Sequence, residues 1–434
     1  MLTEPHGSPG HRSHSGYDGH SSMTAAIHPA SWLTARRVRI HGLLLAVCLW
    51  TVYAVDMSTP GLRDRNGLIK GTDFLHFYTL GSLALQGRGD LLYDMWAQSA
   101  VTQKLLPEAA GSFYVPLYGP QVSLFFVPFA TLSYGWALTA WLSLNVLIYA
   151  LCCYVVWKKC PSLQSQQWTV LILAIAFPGF FHLLVWGQTS GVALACFTLA
   201  YLAQRGGRPF LAGLAIGSLI FKPQLGLAAG VVFLLAREWK VVAGAAASAL
   251  AQLAVGWLHY GTQVMRDYLR ALMHVRDILP LLEPRLYQMH SLRAFWSLLL
   301  PWPSAAFALH LATALLALAL AVRCWRSNAS LEVRYAALLF ATVLVAPHLT
   351  VYDLVILAPA FLFLGDWALG YAAQRFVPSV QVLFYLCYPL FLLGPLARLT
   401  HLQLSVVAMA GLMWICWRVS HQTTASAASL KLPS

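Results

Sequence analysis

A few polar side chains interrupt an otherwise apolar chain, and their types suit a pocket for a phosphorylated substrate. The acid Asp73 follows Gly-Thr, the amide Gln188 follows Trp-Gly, and Lys222 precedes a proline. His348, Tyr352 and Asp353 lie together in Pro-His-Leu-Thr-Val-Tyr-Asp. A carboxylate can take a proton from a hydroxyl nucleophile, and cations can stabilise a departing phosphate. Polar groups at membrane depth are costly and indicate function, so this set favours a pocket for a phosphorylated substrate.

Each of these residues also has a purely structural interpretation. Asp73 and Asp353 are placed to cap helices, and Lys222 at a helix end can extend towards lipid headgroups. Gln188 suits hydrogen bonding between membrane helices, and His348 suits a hydrogen-bonded position at the membrane interface. The functional hypothesis therefore depends on the set and on its convergence in space.

Composition requires that the elements carrying these residues lie in a membrane. Only 10% of the 434 residues are charged, 59% are hydrophobic, and the mean hydropathy is +0.64. An ordinary soluble protein carries roughly a quarter charged residues. A lipid-facing surface needs almost none, so the chain is predicted to be an all-α, polytopic membrane protein. This excludes a cytosolic enzyme, a secreted disulfide scaffold and a nucleic-acid binder.

The chain divides into a membrane domain and two tails. Residues 1–35 are rich in Gly, Ser and His and are predicted to form a disordered tail, although a metal role for the histidines is an alternative. Residues 36–420 form the predicted transmembrane domain, and residues 421–434 a cytoplasmic tail. The eight cysteines lie in or beside apolar runs, which predicts no disulfide framework and no bound metal.

The apolar runs predict about 12 membrane spans, several of them shorter than the roughly 20 residues that cross a bilayer. Residues 122–133, which follow Pro120 and contain Pro128, are interpreted as a half-buried lead-in. The runs are 40–55, 134–157, 168–186, 190–203, 209–221, 225–236, 241–258, 304–322, 335–349, 354–370, 380–397 and 402–417.

The distribution of basic residues orients the chain. With alternating spans, the connections on one side hold 14 Lys and Arg residues, whereas the short connections on the other side hold only Lys222 and Arg398. Basic loops are typically cytoplasmic. Both termini are therefore predicted to be cytoplasmic in a multi-pass cell-membrane protein. The two long connections, 56–121 and 259–303, are then extracytoplasmic, and so is the active site.

Several short motifs in the first two-thirds of the chain carry a resemblance to a known family. They are Gly71-Thr-Asp-Phe74 with Tyr78, Gly87, Leu92-Tyr93-Asp94, Tyr114-Val-Pro-Leu-Tyr-Gly-Pro120, Gly187-Gln188, and Gly213 followed by Lys222-Pro223. In this order they resemble the polyprenol-phosphate-mannose-dependent α-mannosyltransferases of glycosyltransferase family 87, in the C superfamily of membrane glycosyltransferases. The resemblance covers about residues 65–240, and more loosely 347–353. It departs at Tyr118-Gly-Pro120, where the family tends to have Tyr-Pro-Pro.

The resemblance implies a C-superfamily fold with juxtamembrane helices in the first outer loop. It also implies an inverting transfer of a hexose, most simply mannose, from a polyprenyl-phosphate donor to a lipid or glycan acceptor. Asp73 matches the family's general base. Lys222 and His348 are the cations expected near the phosphate. Gln188, Tyr78, Tyr118, Tyr352 and Asp353 are expected to bind substrate. No cofactor, metal or nucleic-acid partner is expected.

Two other classes of function remain open at this stage. A transporter or flippase of a lipid-linked sugar would also place polar residues at helix ends, although such proteins often contain repeats that this sequence lacks. A structural membrane protein without catalysis would leave the recurrence of polar groups unexplained. Within the enzyme class, glucose, arabinose or an amino sugar are alternatives to mannose.

Overall fold

The computed structural model describes residues 32–429 apart from 276, 278–284 and 372–373, and the described part is all-α. Its first nine helices are α1 Ala35–Met57, α2 Thr72–Leu85, α3 Met95–Leu105, α4 Pro120–Phe125, α5 Val127–Ala130, α6 Tyr134–Trp157, α7 Gln167–Ile175, α8 Pro178–Trp186 and α9 Ser190–Arg205. The next ten are α10 Pro209–Gly217, α11 Pro223–Leu235, α12 Trp239–Met273, α13 Leu292–Leu299, α14 Pro303–Trp325, α15 Leu331–Val345, α16 Ala358–Gly370, α17 Val377–Leu392, α18 Gly394–Thr400 and α19 Leu404–Ser429. In place of sheets, the described residues contain two isolated β-bridges.

Within the described residues, six helices are long and apolar enough to cross a membrane, or up to eight if two bent pairs each form one span. The bent pairs are Pro161–Ile175 with Pro178–Trp186, and Val377–Leu392 with Gly394–Thr400. The apolar helices Pro209–Phe221 and Pro223–Leu235 are shorter. The prediction of a polytopic all-α membrane protein is confirmed, whereas the count of 12 spans stays a prediction.

The helix α15 lies at the centre of the bundle. After the charged residues of its first turn it is almost entirely apolar, as expected of a helix surrounded by others, and it packs against α11, α14, α16 and α19. Tyr335 and Phe340 are among its fully buried side chains. At the periphery the pattern is reversed, because α1 exposes Leu43, Leu44 and Val47. An apolar outer surface of this kind suits acyl chains as solvent.

The connection between α1 and α6 folds onto the bundle rather than projecting from it. Phe74 and Phe77 of α2 are fully buried and stack with Trp141 and Phe126 respectively. Residues 120–130 form the two short helices α4 and α5 beneath α2, in place of a span. A Cβ at Gly81 would collide with the Phe126 backbone, so glycine permits this close packing. The aromatic cluster fixes α2, and with it Asp73.

Helices α10 and α12 also approach backbone to backbone, through Gly213, Gly217 and Gly244. The helical backbone of α12 is interrupted at Gly261, where φ is 83°. Upstream of that break, Gly256 lies against Pro120, which ties α12 to the start of α4.

The described residues include only part of the two predicted tails. Most of the predicted tail 1–35 lies outside the described residues, and α1 begins at Ala35. At the other end α19 continues to Ser429, so residues 421–429 of the predicted cytoplasmic tail are helical. The eight cysteines all fall within the described residues and are free thiols, as the sequence predicted.

Candidate active site

Asp73 lies in the first turn of α2. The residue just before this helix is Gly71, where the backbone conformation requires a glycine. Gly71 has a φ of 65°, in the left-handed region that favours glycine, and a side chain there would collide with Leu138. The Oδ2 atom of Asp73 accepts a 2.8 Å hydrogen bond from Nε2 of Gln188, whereas α2 begins without a side-chain cap at Gly71. The capping interpretation of Asp73 therefore does not describe this structure, and the partly exposed carboxylate faces the junction between α8 and α9.

Gln188 is aimed at Asp73 by the way α8 ends. Gly187 ends the helix in the left-handed conformation, with φ 66°, and its carbonyl accepts a 2.8 Å hydrogen bond from Trp141 Nε1. The Gln188 Oε1 atom accepts from the Thr189 backbone N–H at 3.1 Å, so the amide nitrogen is the end that points at Asp73.

Lys222 and Asp353 form a buried ion pair. The Lys222 Nζ lies 2.7 Å from Asp353 Oδ1 and 2.9 Å from the Ser190 hydroxyl, which donates to the same carboxylate oxygen at 2.6 Å. The lysine side chain is 3% exposed and the aspartate 1%. Lys222 therefore does not extend towards headgroups. A buried ammonium and carboxylate are tolerated because each satisfies the other.

Asp353 also has the capping role that its position predicted. Its Oδ2 accepts from the backbone N–H and the hydroxyl of Thr350, both at 3.3 Å, in a capping box at the start of the 3₁₀ segment Val351–Leu357. One carboxylate thus orders the 346–353 loop and holds Lys222. Tyr352 lies beside this pair, with its ring centroid 5.0 Å from the lysine Nζ.

His348 and Tyr118 complete the surroundings of Asp73. Burial lowers the pKa of His348 to about 4. The negative charges of Asp353 and Asp73 act to raise this pKa, and the positive charge of Lys222 acts to lower it. Burial raises the pKa of the Tyr118 hydroxyl, and the negative charge of Asp73 acts in the same direction. His348 is therefore neutral at neutral pH, whereas the sequence led us to expect a standing cation there.

The pKa of Asp73 is raised to about 6, chiefly because the surrounding protein displaces water from the carboxylate. The hydrogen bond from Gln188 and the positive charge of Lys222 act in the opposite direction and lower the pKa. The carboxylate is thus ionised at neutral pH and basic enough to accept a proton.

Tyr78 is the one predicted substrate-binding residue that the fold directs elsewhere. It is buried on another face of α2, where its hydroxyl donates to the Leu132 carbonyl at 2.8 Å and its ring packs edge-on against Tyr134. The match of Tyr78 to the family motif is thus explained by the packing of α2 on the short helices α4 and α5. The other predicted residues, from four separate parts of the chain, come together around Asp73.

The structure adds two polar residues that sequence reasoning missed. Ser190 joins the ion pair, and its signal was the run of polar residues that follows Trp-Gly at a helix junction. Arg293 of α13 donates a 2.6 Å hydrogen bond to the Pro347 carbonyl and acts electrostatically on His348. Nothing in its local sequence indicated that α13 returns to this site.

The two carboxylates of the site have different surroundings. Asp73 is the accessible acid, held by Gln188 and with a pKa near working pH. Asp353 is occupied by Lys222, Ser190 and Thr350, so it holds a cation in place rather than exchanging protons. A substrate hydroxyl at Asp73 would lie near the cationic side of the site, where negative charge can be stabilised.

The sequence model of glycosyltransferase family 87 matches residues 117–347, slightly more than half of the chain. The protein belongs to glycosyltransferase family 87. No curated protein and no solved structure matches the chain significantly. The family 87 match contains Tyr118, Gln188 and Lys222, and it ends one residue before His348. Membership makes the protein a membrane glycosyltransferase with a sugar donor and an acceptor, and it decides against the transporter interpretation.

Proposed function

We propose that this family 87 enzyme transfers a hexose, most simply mannose, from a polyprenyl-phosphate donor to an extracytoplasmic lipid or glycan acceptor, with inversion. One observation carries the proposal: the partly exposed Asp73 carboxylate is hydrogen-bonded by Gln188 and lies next to the buried Lys222–Asp353 pair. A base thus adjoins a lysine whose ammonium is held in a fixed position, which suits transfer from a glycosyl phosphate.

Asp73 acts as the general base in this mechanism. As the acceptor oxygen bonds to the anomeric carbon, its proton passes to Asp73, and the bond from that carbon to the phosphate oxygen breaks. The phosphate leaves with the bonding electron pair. Attack opposite the leaving group converts a β-linked donor into an α-glycoside.

The phosphate of the donor is bound by Lys222, Arg293 and His348. Lys222 has a fixed position because Asp353 and Ser190 hold its ammonium, so little reorganisation is needed as charge develops. His348 is neutral beforehand and serves as a hydrogen-bond donor, and an adjacent phosphate raises its pKa by stabilising the imidazolium. Arg293 is held by the Pro347 carbonyl beside the same histidine.

The lipid-linked nature of the donor is supported by the membrane setting. The site residues lie at the ends of apolar helices, and no Gly-rich nucleotide phosphate loop occurs in the sequence. The choice of mannose rests on the resemblance of the motifs around Asp73, and glucose, arabinose or an amino sugar would meet the same base and cations.

The direct test is transfer by the purified enzyme in proteoliposomes. Polyprenyl-phosphate mannose with radiolabel in the sugar should label a glycan or lipid acceptor in an α-linkage, as read by NMR or by α-mannosidase digestion. Labelling from a nucleotide sugar alone, or a retained β-linkage, would contradict the proposal. Parallel donors carrying glucose or arabinose identify the sugar.

The extracytoplasmic location of the site is part of the proposal and has its own test. Ser112→Cys, in the connection before α4, should react with an impermeant thiol reagent in intact cells. Asn328→Cys, in the basic connection between α14 and α15, is the matched control and should react only after lysis. The reverse labelling would place the site in the cytoplasm.

A further inference from the structure

A cavity of about 480 Å³ lies among α1, α6, α7, α16 and α17. Its volume is that of a pocket for a sizeable small molecule. The walls are mostly apolar. Among the side chains that line it are Leu45, Tyr149, Leu173, Phe361 and Phe384. An apolar space of this kind does not hold ordered water well, because water needs several polar partners.

This cavity is separate from the site around Asp73. Phe177 lines it, and Gln188 lies beyond the nine residues of α8, a helix about 14 Å long. Tyr149 closes the space on that side, since its ring stacks on Phe180 at a centroid distance of 4.0 Å. The Tyr149 hydroxyl donates to the Ala174 carbonyl, which holds the ring in place.

Polar groups are collected at the other end of the cavity, where α1 begins. His41 and Tyr385 are hydrogen-bonded to each other over 2.9 Å and line the space together with Gln166, Thr169 and Gln381. Trp32 packs on His41, with ring centroids 5.4 Å apart, and Arg37 lies over Trp32. Arg36 and Arg39, in the first turns of α1, are exposed beside this end.

We infer that the cavity binds one acyl chain of an anionic phospholipid from the leaflet on the basic side, with the lipid phosphate at Arg36 and Arg39. The apolar walls suit a hydrocarbon chain, and the bases at the entrance suit a negative headgroup. None of the residues that line the cavity belongs to the site around Asp73, so we assign it to a phospholipid and not to a donor with its phosphate near Lys222. This acyl-chain site does not depend on which sugar the donor carries.

Filling the cavity tests the acyl-chain site. Leu45→Trp places a larger ring in it, whereas Leu44→Trp, one residue earlier, faces outwards and is the matched control. The proteins are reconstituted in nanodiscs of mixed phosphatidylcholine and phosphatidylglycerol, and retained lipids are counted by native mass spectrometry. Wild type and Leu44→Trp should retain a phosphatidylglycerol that Leu45→Trp loses several-fold. Equal retention by all three proteins overturns the inference.

Removing the bases tests the headgroup. Arg36→Gln with Arg39→Gln should abolish the several-fold preference for phosphatidylglycerol over phosphatidylcholine. Arg323→Gln with Arg326→Gln, which removes two bases at the end of α14, should leave that preference intact. A preference that survives the first double substitution overturns the inference. So does displacement of the retained lipid by added polyprenyl phosphate, which would make the cavity a site for the donor's chain.

Discussion

Gln188 and Asp73 are 115 residues apart in the sequence and are joined by a 2.8 Å hydrogen bond from Nε2 to Oδ2. The bond connects the first turn of α2 with the glycine-terminated end of α8. It leaves the second carboxylate oxygen of Asp73 for another partner. Asp353, by contrast, is bonded to Lys222, Ser190 and Thr350, and this difference supports the proposal that Asp73 is the general base.

Asp73→Asn should reduce sugar transfer by about 10²–10⁴, the usual effect of losing a general base. The substitution is nearly isosteric and keeps the contact with Gln188, so expression and thermal unfolding should stay near wild type. The rate is measured with purified enzyme at saturating donor and acceptor. Asp90→Asn is the control, because Asp90 forms an exposed pair with Arg88. Transfer by Asp73→Asn at the wild-type rate would place the base elsewhere.

The pH profile should report the pKa of Asp73. The base acts when deprotonated, so kcat/KM should rise with pH on the acid side and level off above about pH 6, the raised pKa of this carboxyl. Gln188→Leu removes a hydrogen bond that lowers that pKa, so the acid limb should move to higher pH. Gln263→Leu, at an exposed glutamine, should leave it unchanged. A limb that does not move in Gln188→Leu argues against Asp73 as the titrating group.

The Lys222–Asp353 pair should couple stability to activity. Lys222→Met alone leaves a buried carboxylate unpaired, which typically costs about 3–5 kcal/mol. The single variant Lys222→Met should therefore have a clearly lower unfolding temperature than the wild type. The double variant Lys222→Met with Asp353→Asn removes both charges but keeps an acceptor for Thr350, so it should recover most of the unfolding temperature but not the use of the donor.

Thermal unfolding and donor KM, measured together, distinguish a structural lysine from one that also binds phosphate. If the double variant recovers donor KM as well as stability, Lys222 serves the fold alone. Arg88→Met, which breaks an exposed pair, is the control and should change neither quantity, since solvent screens exposed ion pairs.

His348 should act as a neutral hydrogen-bonding group before the donor binds. Its lowered pKa of about 4 follows from burial. His348→Gln keeps a hydrogen-bond donor without a charge and should retain more activity than His348→Ala, chiefly through a lower KM for the sugar donor. Arg293→Met should raise the same KM. Equal losses in His348→Gln and His348→Ala would indicate that a proton on the imidazole is essential.

The sequence by itself determined the class of protein and indicated most residues of the candidate site. Few charges and long apolar runs leave a membrane as the only solvent for such a surface, and helices satisfy their backbone groups there. Asp73, Gln188, Lys222 and Asp353 were recognisable because polar residues in apolar surroundings are costly and need a reason.

Only the tertiary structure decided how each of these residues is engaged. Asp353 and Lys222 look alike in sequence as ionisable groups at helix ends, and their burial against each other suits them to holding the site rather than to proton transfer. Tyr78 shares a motif with Asp73, yet its face of α2 packs on Tyr134. Arg293 carries no local signal because α13 reaches His348 only through the fold. Contacts between residues far apart in sequence depend on how helices pack, and that packing is set by the whole bundle.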